Sequence, residues 1–137
     1  MLKLKRIHDQ TGPDDGKRYL VDRIWPRGAR KVDAHLDEWL KALAPSTELR
    51  KWFNHDPARW EDFQARYRLE LEAPELRALL DRLASEAETG SVTLLYGAKD
   101  AQRNQAVVIR RVVGERLEKK SAPLMRCAIK RSDIQRP

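Results

Sequence analysis

The sequence is poor in the residues that most often announce chemistry. Its 137 residues hold a single cysteine, Cys127, so no internal disulfide can form and a cysteine-based zinc site is excluded. The three histidines, His8, His35 and His55, are dispersed, and no two of them have the i, i+4 spacing of paired metal ligands. No serine sits in a G-x-S-x-G elbow, so a hydrolase triad lacks its signature. No run approaches the roughly 18 consecutive apolar residues of a membrane span. The opening stretch MLKLKRIHDQ has no apolar core of a secretory signal. Together these absences lead to the expectation of a cytoplasmic chain with no metal, no cofactor and no membrane partner.

What is abundant is charge. Charged residues make up 36% of the chain and the formal net charge is +7, against 41% hydrophobic residues and four tryptophans. The length suits one domain with one ordinary core. The positive charge is unevenly spread. Residues 1–31 hold nine Lys or Arg and four acids, residues 32–114 hold twelve and fourteen, and residues 115–137 hold seven and three. The middle of the fold is thus mildly acidic, and the basic character belongs to the opening segment and to the end of the chain. A basic opening and end is the pattern of a solvated surface or of a polyanion footprint.

Hydrophobic periodicity divides the chain into short strands and helices. Residues 2–7, LKLKRI, alternate apolar and cationic positions as a half-covered strand does. A dense Gly, Pro and Asp turn at 9–16 leads to a second strand at Tyr19–Trp25, forming either a hairpin or a parallel pair with an irregular crossing. Asp33 reads as the cap of a helix presenting Leu36, Trp39, Leu40 and Leu43, which Pro45 stops. Ser46 or Thr47 caps a short helix with Leu49, Trp52 and Phe53. In NHDP (54–57), Asp56 caps the next helix and Pro57 takes its first position. Trp60, Phe63, Tyr67 and Leu71 line that helix. A further one starts at Ala73–Pro74, with Leu76, Leu79, Leu80 and Leu83 inward, and Gly90 closes it. SVTLLYGA (91–98) is the clearest buried strand. The run after Asp100, with Ala106, Ile109, Val113 and Leu117, reads as a helix, although its AVVI segment alone would also suit a strand. Strands with helices between them point to a small α/β domain.

Two strand ends concentrate unusual residues. In VDRIWPRGARK (21–31), continued strand alternation would put Asp22 and Ile24 on one face and Arg23 and Trp25 on the other. Asp22 beside arginine is a structural partner, a general base or an acceptor for a ligand. Trp25 is either core or a wall for planar groups. Arg27, between the stiff Pro26 and the permissive Gly28, is a bidentate donor suited to an anion. In YGAKDAQRN (96–104), Gly97 and Ala98 allow close approach, the following helix start offers free amides, and Lys99 adds charge. In a parallel sheet both ends lie where ligands bind. His55 reads as a turn residue as readily as a catalyst, Cys127 is a poor nucleophile, and the helical aromatics read mainly as core.

Three blocks, KRYLVDRIWPRG, LKALAPSTELRKWFNHDPARWEDFQARY and VTLLYGAKD, resemble the YeaO-like bacterial proteins, domain of unknown function 488, from about Leu2 to Leu117. The resemblance implies a cytosolic α/β domain whose three strands form a mainly parallel sheet, and it implies no assigned activity. It marks Asp22, Arg23, Trp25, Pro26, Arg27 and Gly28, then Pro45, Ser46, Trp52, Phe53, His55 and Asp56, and finally Lys99, Asp100 and Asn104, as motif positions, which raises His55 as a site candidate. Relatives tend to carry Asn-His-Ala where this chain has Asn104-Gln105-Ala106. Glutamine cannot replace an imidazole as acid or base, so the departure favours binding here or a catalyst elsewhere.

The expectation is therefore an α/β domain over residues 1–117, a mainly parallel three-stranded sheet with four to five helices in Rossmann-like layering, followed by a flexible basic tail at 118–137. At its strand ends an anion pocket would take a nucleotide, sugar phosphate or carboxylate. Arg23, Trp25, Arg27, Gly97, Lys99, Asp100 and Asn104 would bind the ligand, and Asp22 and His55 would carry any proton transfer. A nucleic-acid-binding module using the basic opening and tail, and a structural or protein-interaction domain without catalysis, are the alternatives. Whether there is a reaction, and the oligomeric state, stay open at this stage.

Overall fold

A computed structural model describes residues 1–129 of the chain. Four strands, β1 (Leu2–Arg6), β2 (Lys17–Leu20), β3 (Glu38–Trp39) and β4 (Val92–Tyr96), form one sheet in the order β1-β4-β2-β3. Every pairing is parallel. β4 occupies the interior of the sheet because its five residues VTLLY are all buried, as a near-continuous apolar run flanked by two parallel neighbours should be. β1 and β2 do not form a hairpin, since β4 lies between them. The crossing from β1 to β2 is irregular, and it depends on Gly16, which has φ +64°. A Cβ there would stand 2.0 Å from the Ser91 carbonyl oxygen, next to the hydrogen bond from Lys17 N to that same oxygen at 3.1 Å.

The two faces of the sheet are covered unequally. Leu94 belongs to the main core and its neighbour Leu95 to a smaller second cluster, the period of two expected of a strand. The main core is built by α2 (Thr47–Phe53), α3 (Trp60–Glu70), α4 (Pro74–Thr89) and α5 (Gln105–Ile129), through side chains such as Phe53, Phe63, Tyr67, Leu83, Ile109 and Val113. The opposite face carries the smaller apolar cluster of Ile7, Leu20, Ala34 and Leu95, covered by Trp25, Ala29, Leu36 and Trp39 of the segment that follows β2. The layering is thus one thick helical layer and one thin irregular one.

That thin layer overturns the helix expected from Asp33 to Leu43. The helix α1 covers Lys31–Ala34 only, it begins after Arg30, and His35 ends it in the left-handed region with φ 49°. Leu36 and Trp39 pack on the smaller cluster while Leu40 and Leu43 enter the main core. One helical face cannot serve two sides of a sheet, whereas an edge strand can. The backbone closes the argument. Asp37 N donates to Arg18 O and Leu40 N to Leu20 O, each at 2.8 Å, and the Asp37 carboxylate accepts from Arg18 N at 2.7 Å. The sheet accordingly has four strands rather than three.

The remaining helices follow their punctuation. Ser46 caps α2 by accepting from Leu49 N at 3.1 Å, and its own N–H and hydroxyl donate to Glu70 of α3 at 2.8 and 2.6 Å. Asp56 caps a 3₁₀ turn at Pro57–Arg59, and Pro74 opens α4. Asp100, expected to cap the last helix, instead holds a turn by accepting from the amides of Gln102 and Arg103. Asn104 caps α5, accepting from Val107 N at 3.2 Å. The ambiguous AVVI run is helical, and α5 carries helix as far as Ile129, into the segment expected to be a tail. Residues 130–137 lie outside the described residues. Among the described residues no helix is long and apolar enough to cross a membrane.

The fully buried Tyr67 links α3 to the segment before α2 by donating its hydroxyl to Leu43 O at 2.5 Å. Tyr67→Phe removes the donor and leaves that buried carbonyl short of a partner. The variant should lose about 1–3 kcal/mol of unfolding free energy in a urea titration. An unchanged midpoint would show that Leu43 O is satisfied in another way.

Candidate functional site

The sheet's carboxyl ends feed two loops, residues 21–30 after β2 and residues 97–104 after β4. Strand geometry ends at Leu20, so the alternating faces expected through Trp25 do not continue. Ile24 is 58% exposed rather than sharing a buried face with Asp22. Asp22, Arg23 and Trp25 in the first loop each have a distinct local task. Arg23 reaches across to the segment before α2, donating from Nε to Pro45 O at 2.7 Å and from Nη2 to Ala44 O at 3.1 Å. Trp25 donates its indole N–H to Ala29 O at 2.7 Å, which folds the Pro26–Gly28 turn over. Its ring meets Trp39 edge-on with centroids 5.5 Å apart. Trp39 in turn donates to Asp22 O at 2.6 Å.

The Asp22 carboxylate ties the two loops together. One oxygen accepts from Gly97 N at 2.9 Å and the other accepts from the Gln105 side-chain amide at the start of α5. Gly97 has to lack a side chain for this to happen. A Cβ there would stand 2.8 Å from Pro26 Cβ and 2.9 Å from the Asp22 oxygen. Arg6, at the end of β1, fixes the same loop from its other side by donating to Ala98 O and Gly97 O at 3.1 and 3.4 Å. Burial pushes the Asp22 carboxyl up to about 6, against the opposing pull of the Gly97 amide, the Gln105 amide and the charge of Arg50.

These loops and the carboxyl end of α2 enclose an open cleft of about 820 Å³. The cleft brings together Asp22, Arg23, Trp25, Arg27, His55, Gly97, Lys99 and Asn104. Asp100 does not line it, being engaged in its own turn and in an ion pair with Arg103 at 3.3 Å. Among the described residues lining the cleft, Arg6, Arg23, Arg27, Arg50, Lys99 and Arg103 are cationic, and Asp22 is the acid. Arg6 and Arg23 are held by carbonyls and Arg103 by Asp100. The side chains of Arg27, Arg50 and Lys99 have no hydrogen-bond or ion-pair partner among the described residues. His55 stands exposed at the mouth with φ 54°, directly after Asn54 at φ 46°, and its ring centroid is 6.4 Å from that of Phe53. Two successive non-glycine residues in the left-handed region are uncommon and turn the imidazole out of the α2 helix line.

Sequence reasoning missed Arg6, Arg50, Arg103 and Phe63 as parts of this site, while Phe53 and Gln105 are marked only through the family resemblance, as a motif position and as a departure from the pattern. Arg6 had a legible signal, because the end of a parallel strand lies on the ligand side of the sheet. Arg50 had none, since only the packing of α2 against the loops brings it there. Among the described residues no three His, Cys, Asp or Glu side chains converge to hold a metal ion.

Comparison with known proteins places this geometry in context. The model of a family described as the inactive DUF488-N3 subclade matches residues 1–129. The chain is similar to the uncharacterized protein YeaO of Escherichia coli (strain K12), with 44% identity over 108 residues that cover 79% of this chain and 92% of YeaO. It is also similar to the uncharacterized proteins Mb3100c of Mycobacterium bovis and Rv3073c of Mycobacterium tuberculosis. Both are 37% identical over 115 residues, 84% of this chain and 95% of theirs. No solved structure matches the chain.

The raised Asp22 carboxyl makes stability depend on pH with a definite sign. The folded chain holds this proton more tightly than the unfolded chain, so the contribution is complete below the ordinary value of 3.8 and is lost as pH rises through about 6. Asp22→Asn removes the titration. In urea melts between about pH 4 and pH 7, wild type should lose stability relative to Asp22→Asn as pH increases. A difference that stays flat over that range would contradict the burial of this carboxylate.

Proposed function

Within the DUF488 family, to which this chain belongs, we propose that the protein is a binder, without catalysis, of a small anionic molecule seated in the cleft at the strand ends. The ligand class comprises nucleotides, sugar phosphates and carboxylates. The observation that carries this reading is the charge of the cleft. Arg27, Arg50 and Lys99 line it with no ion pair among the described residues, and the one acid beside them, the half-buried Asp22, feels the charge of Arg50 but does not pair with it. Three unpaired cations around one concavity repel one another and are relieved by an anion, most effectively where low-dielectric walls focus the field. The site also lies where open parallel sheets take their ligands.

The absence of catalysis rests on Asp22 and on the family description. Asp22 holds two loops together through both of its oxygens, which suits a fixed acceptor better than a proton carrier. The matched subclade is described as inactive. The nucleic-acid alternative has weaker support in the opening segment, whose cations are largely engaged at home. Lys5 pairs with Asp15 at 2.8 Å, Arg18 also pairs with Asp15, and Lys17 pairs with Glu86 at 3.1 Å.

Isothermal titration with inorganic phosphate and sugar phosphates, run at two salt concentrations, tests the reading. Binding should weaken with salt, and Arg27→Ala or Lys99→Ala should each weaken it by roughly tenfold, as expected for one charge-assisted hydrogen bond. Affinity indifferent to both substitutions would place the ligand elsewhere and overturn the proposal.

A further inference from the structure

We infer that the cleft takes its anion together with a proton from solvent, and that this proton settles on Asp22, between Oδ1 and the Gln105 side chain. This rests on the anion-binding reading above and adds its regulation, since such a site fills as pH falls and empties as pH rises. Asp22 is the one acid lining the cleft among the described residues. An anion received by Arg27, Arg50 and Lys99 therefore meets a like charge across the same concavity. Arg50 is where the two compete. It has no ion pair among the described residues, and its charge favours the ionised form of Asp22. An anion paired with Arg50 cancels that support, and two negative charges brought together out of water drive one of them to take a proton. The carboxyl is poised for this, because burial already raises it to about 6 against the pull of Gly97, Gln105 and Arg50.

The junction accepts the proton without opening. Gly97 N donates to Asp22 Oδ2 at 2.9 Å, and Gln105 Nε2 donates to Oδ1. A protonated carboxyl keeps an acceptor on one oxygen and becomes a donor at the other. A backbone N–H only donates, so Oδ2 stays the acceptor for Gly97 and the proton belongs on Oδ1. A side-chain amide carries a donor and an acceptor half a turn apart. Turning the end of Gln105 replaces the Nε2 that donates to the carboxylate with the Oε1 that accepts from the acid. The two loops stay joined in both states. The proton is held there and not passed to the ligand, so binding without catalysis is retained.

The other charged and titratable groups around Asp22 come from every element of the cleft. Its own loop brings Arg23 and Arg27, and the end of β1 brings Arg6 and His8. The loop after β4 adds Lys99 and Arg103, and α2 adds Arg50 with His55 just beyond it. From α3 come Tyr67 and Glu70. The arginines stay cationic. Burial holds the Tyr67 hydroxyl protonated, and Glu70 accepts from the Ser46 N–H and hydroxyl. Imidazole is the side chain most apt to imitate the response expected of Asp22, so the test has to locate the proton as well as count it.

Calorimetry of the wild-type protein with sulfate, whose charge is constant between about pH 5 and pH 8 where that of phosphate is not, reads the coupling. Sulfate should bind at least about fivefold more tightly at the acid end, the lower edge of ordinary coupling between sites. Buffers of different protonation enthalpy should show proton uptake on binding at about pH 6. Carbon NMR of the aspartate carboxyls, assigned through the backbone of the wild-type chain, then locates the proton. By reciprocity, saturating sulfate should move the Asp22 midpoint to higher pH by the same factor as the change in affinity. Binding without proton uptake, and with the Asp22 midpoint fixed, would overturn this inference and leave the anion site standing. Uptake with the Asp22 midpoint fixed would assign the proton to His8 or His55 and overturn it as well. Sulfate that binds at neither pH would overturn the anion reading itself.

Discussion

The rest of the cleft depends on one junction, the Asp22 carboxylate bridging the Gly97 amide and the Gln105 side chain, 75 and 83 residues away in sequence. It joins the loop after β2 to the loop after β4 and to the first turn of α5. Each partner is chosen by a physical constraint. Gly97 has no side chain because a Cβ would press on both Pro26 and the carboxylate. Gln105 sits directly after Asn104, whose side chain caps α5, so the helix start fixes where the amide begins. The carboxylate is half-buried and has its pKa raised for that reason, yet it stays hydrogen-bonded, which is how such a group persists away from water. Without this junction Arg27 and Lys99 would sit on two independent loops.

Charge accounts for why the cleft, and not the surface at large, stands out. The chain's +7 suggests a diffuse polyanion footprint, but the fold distributes that charge with discrimination. Cations of the opening segment meet Asp15, Glu86 and backbone carbonyls, and Arg82 and Arg116 meet Glu38 and Asp81 at 2.9 and 2.8 Å. Exposed pairs of this kind add little to stability. They occupy much of the charge on the flanks, while Arg27, Arg50 and Lys99 gather at the strand ends without an ion pair among the described residues. Below them lies a floor of stacked aromatic rings that the core requires anyway, since Phe53, Phe63 and Tyr67 also hold α2 and α3 together. Core and candidate site thus share side chains.

Much of this was legible in the sequence wherever a local rule decided the outcome. VTLLY declared a central strand, Ser46 and Asp56 declared caps, Pro74 declared a helix start, and the two loops with Asp22, Arg27 and Lys99 fell at strand ends. What escaped was decided by tertiary contact. Residues 36–43 carry a helical spacing of Leu, Trp, Leu and Leu, but two of these side chains serve one face of the sheet and two the other, so the segment became a short edge strand at Glu38–Trp39 followed by a 3₁₀ turn at Lys41–Leu43. Asp100 had the chemistry of a helix cap and lost the position to Asn104 because it closed a tight turn with Gln102 and Arg103 instead. Arg23, expected to supply charge to a ligand, is a strut that ties the loop after β2 to the carbonyls of Ala44 and Pro45. Arg50 gave no signal, since its place in the site exists only once α2 is docked, and Gln105 showed only as a departure from the family pattern.

The central claim is that anions are received at the joined ends of β2 and β4. A two-dimensional amide NMR titration of the isotope-labelled protein with AMP tests it most directly. The account predicts that the largest shifts fall on the backbone amides of Arg27, Gly97, Lys99 and Gln105, with the sheet's opposite end unmoved. Shifts concentrated around Lys3, Lys17 or the far end of α4, with those four amides silent, would contradict it.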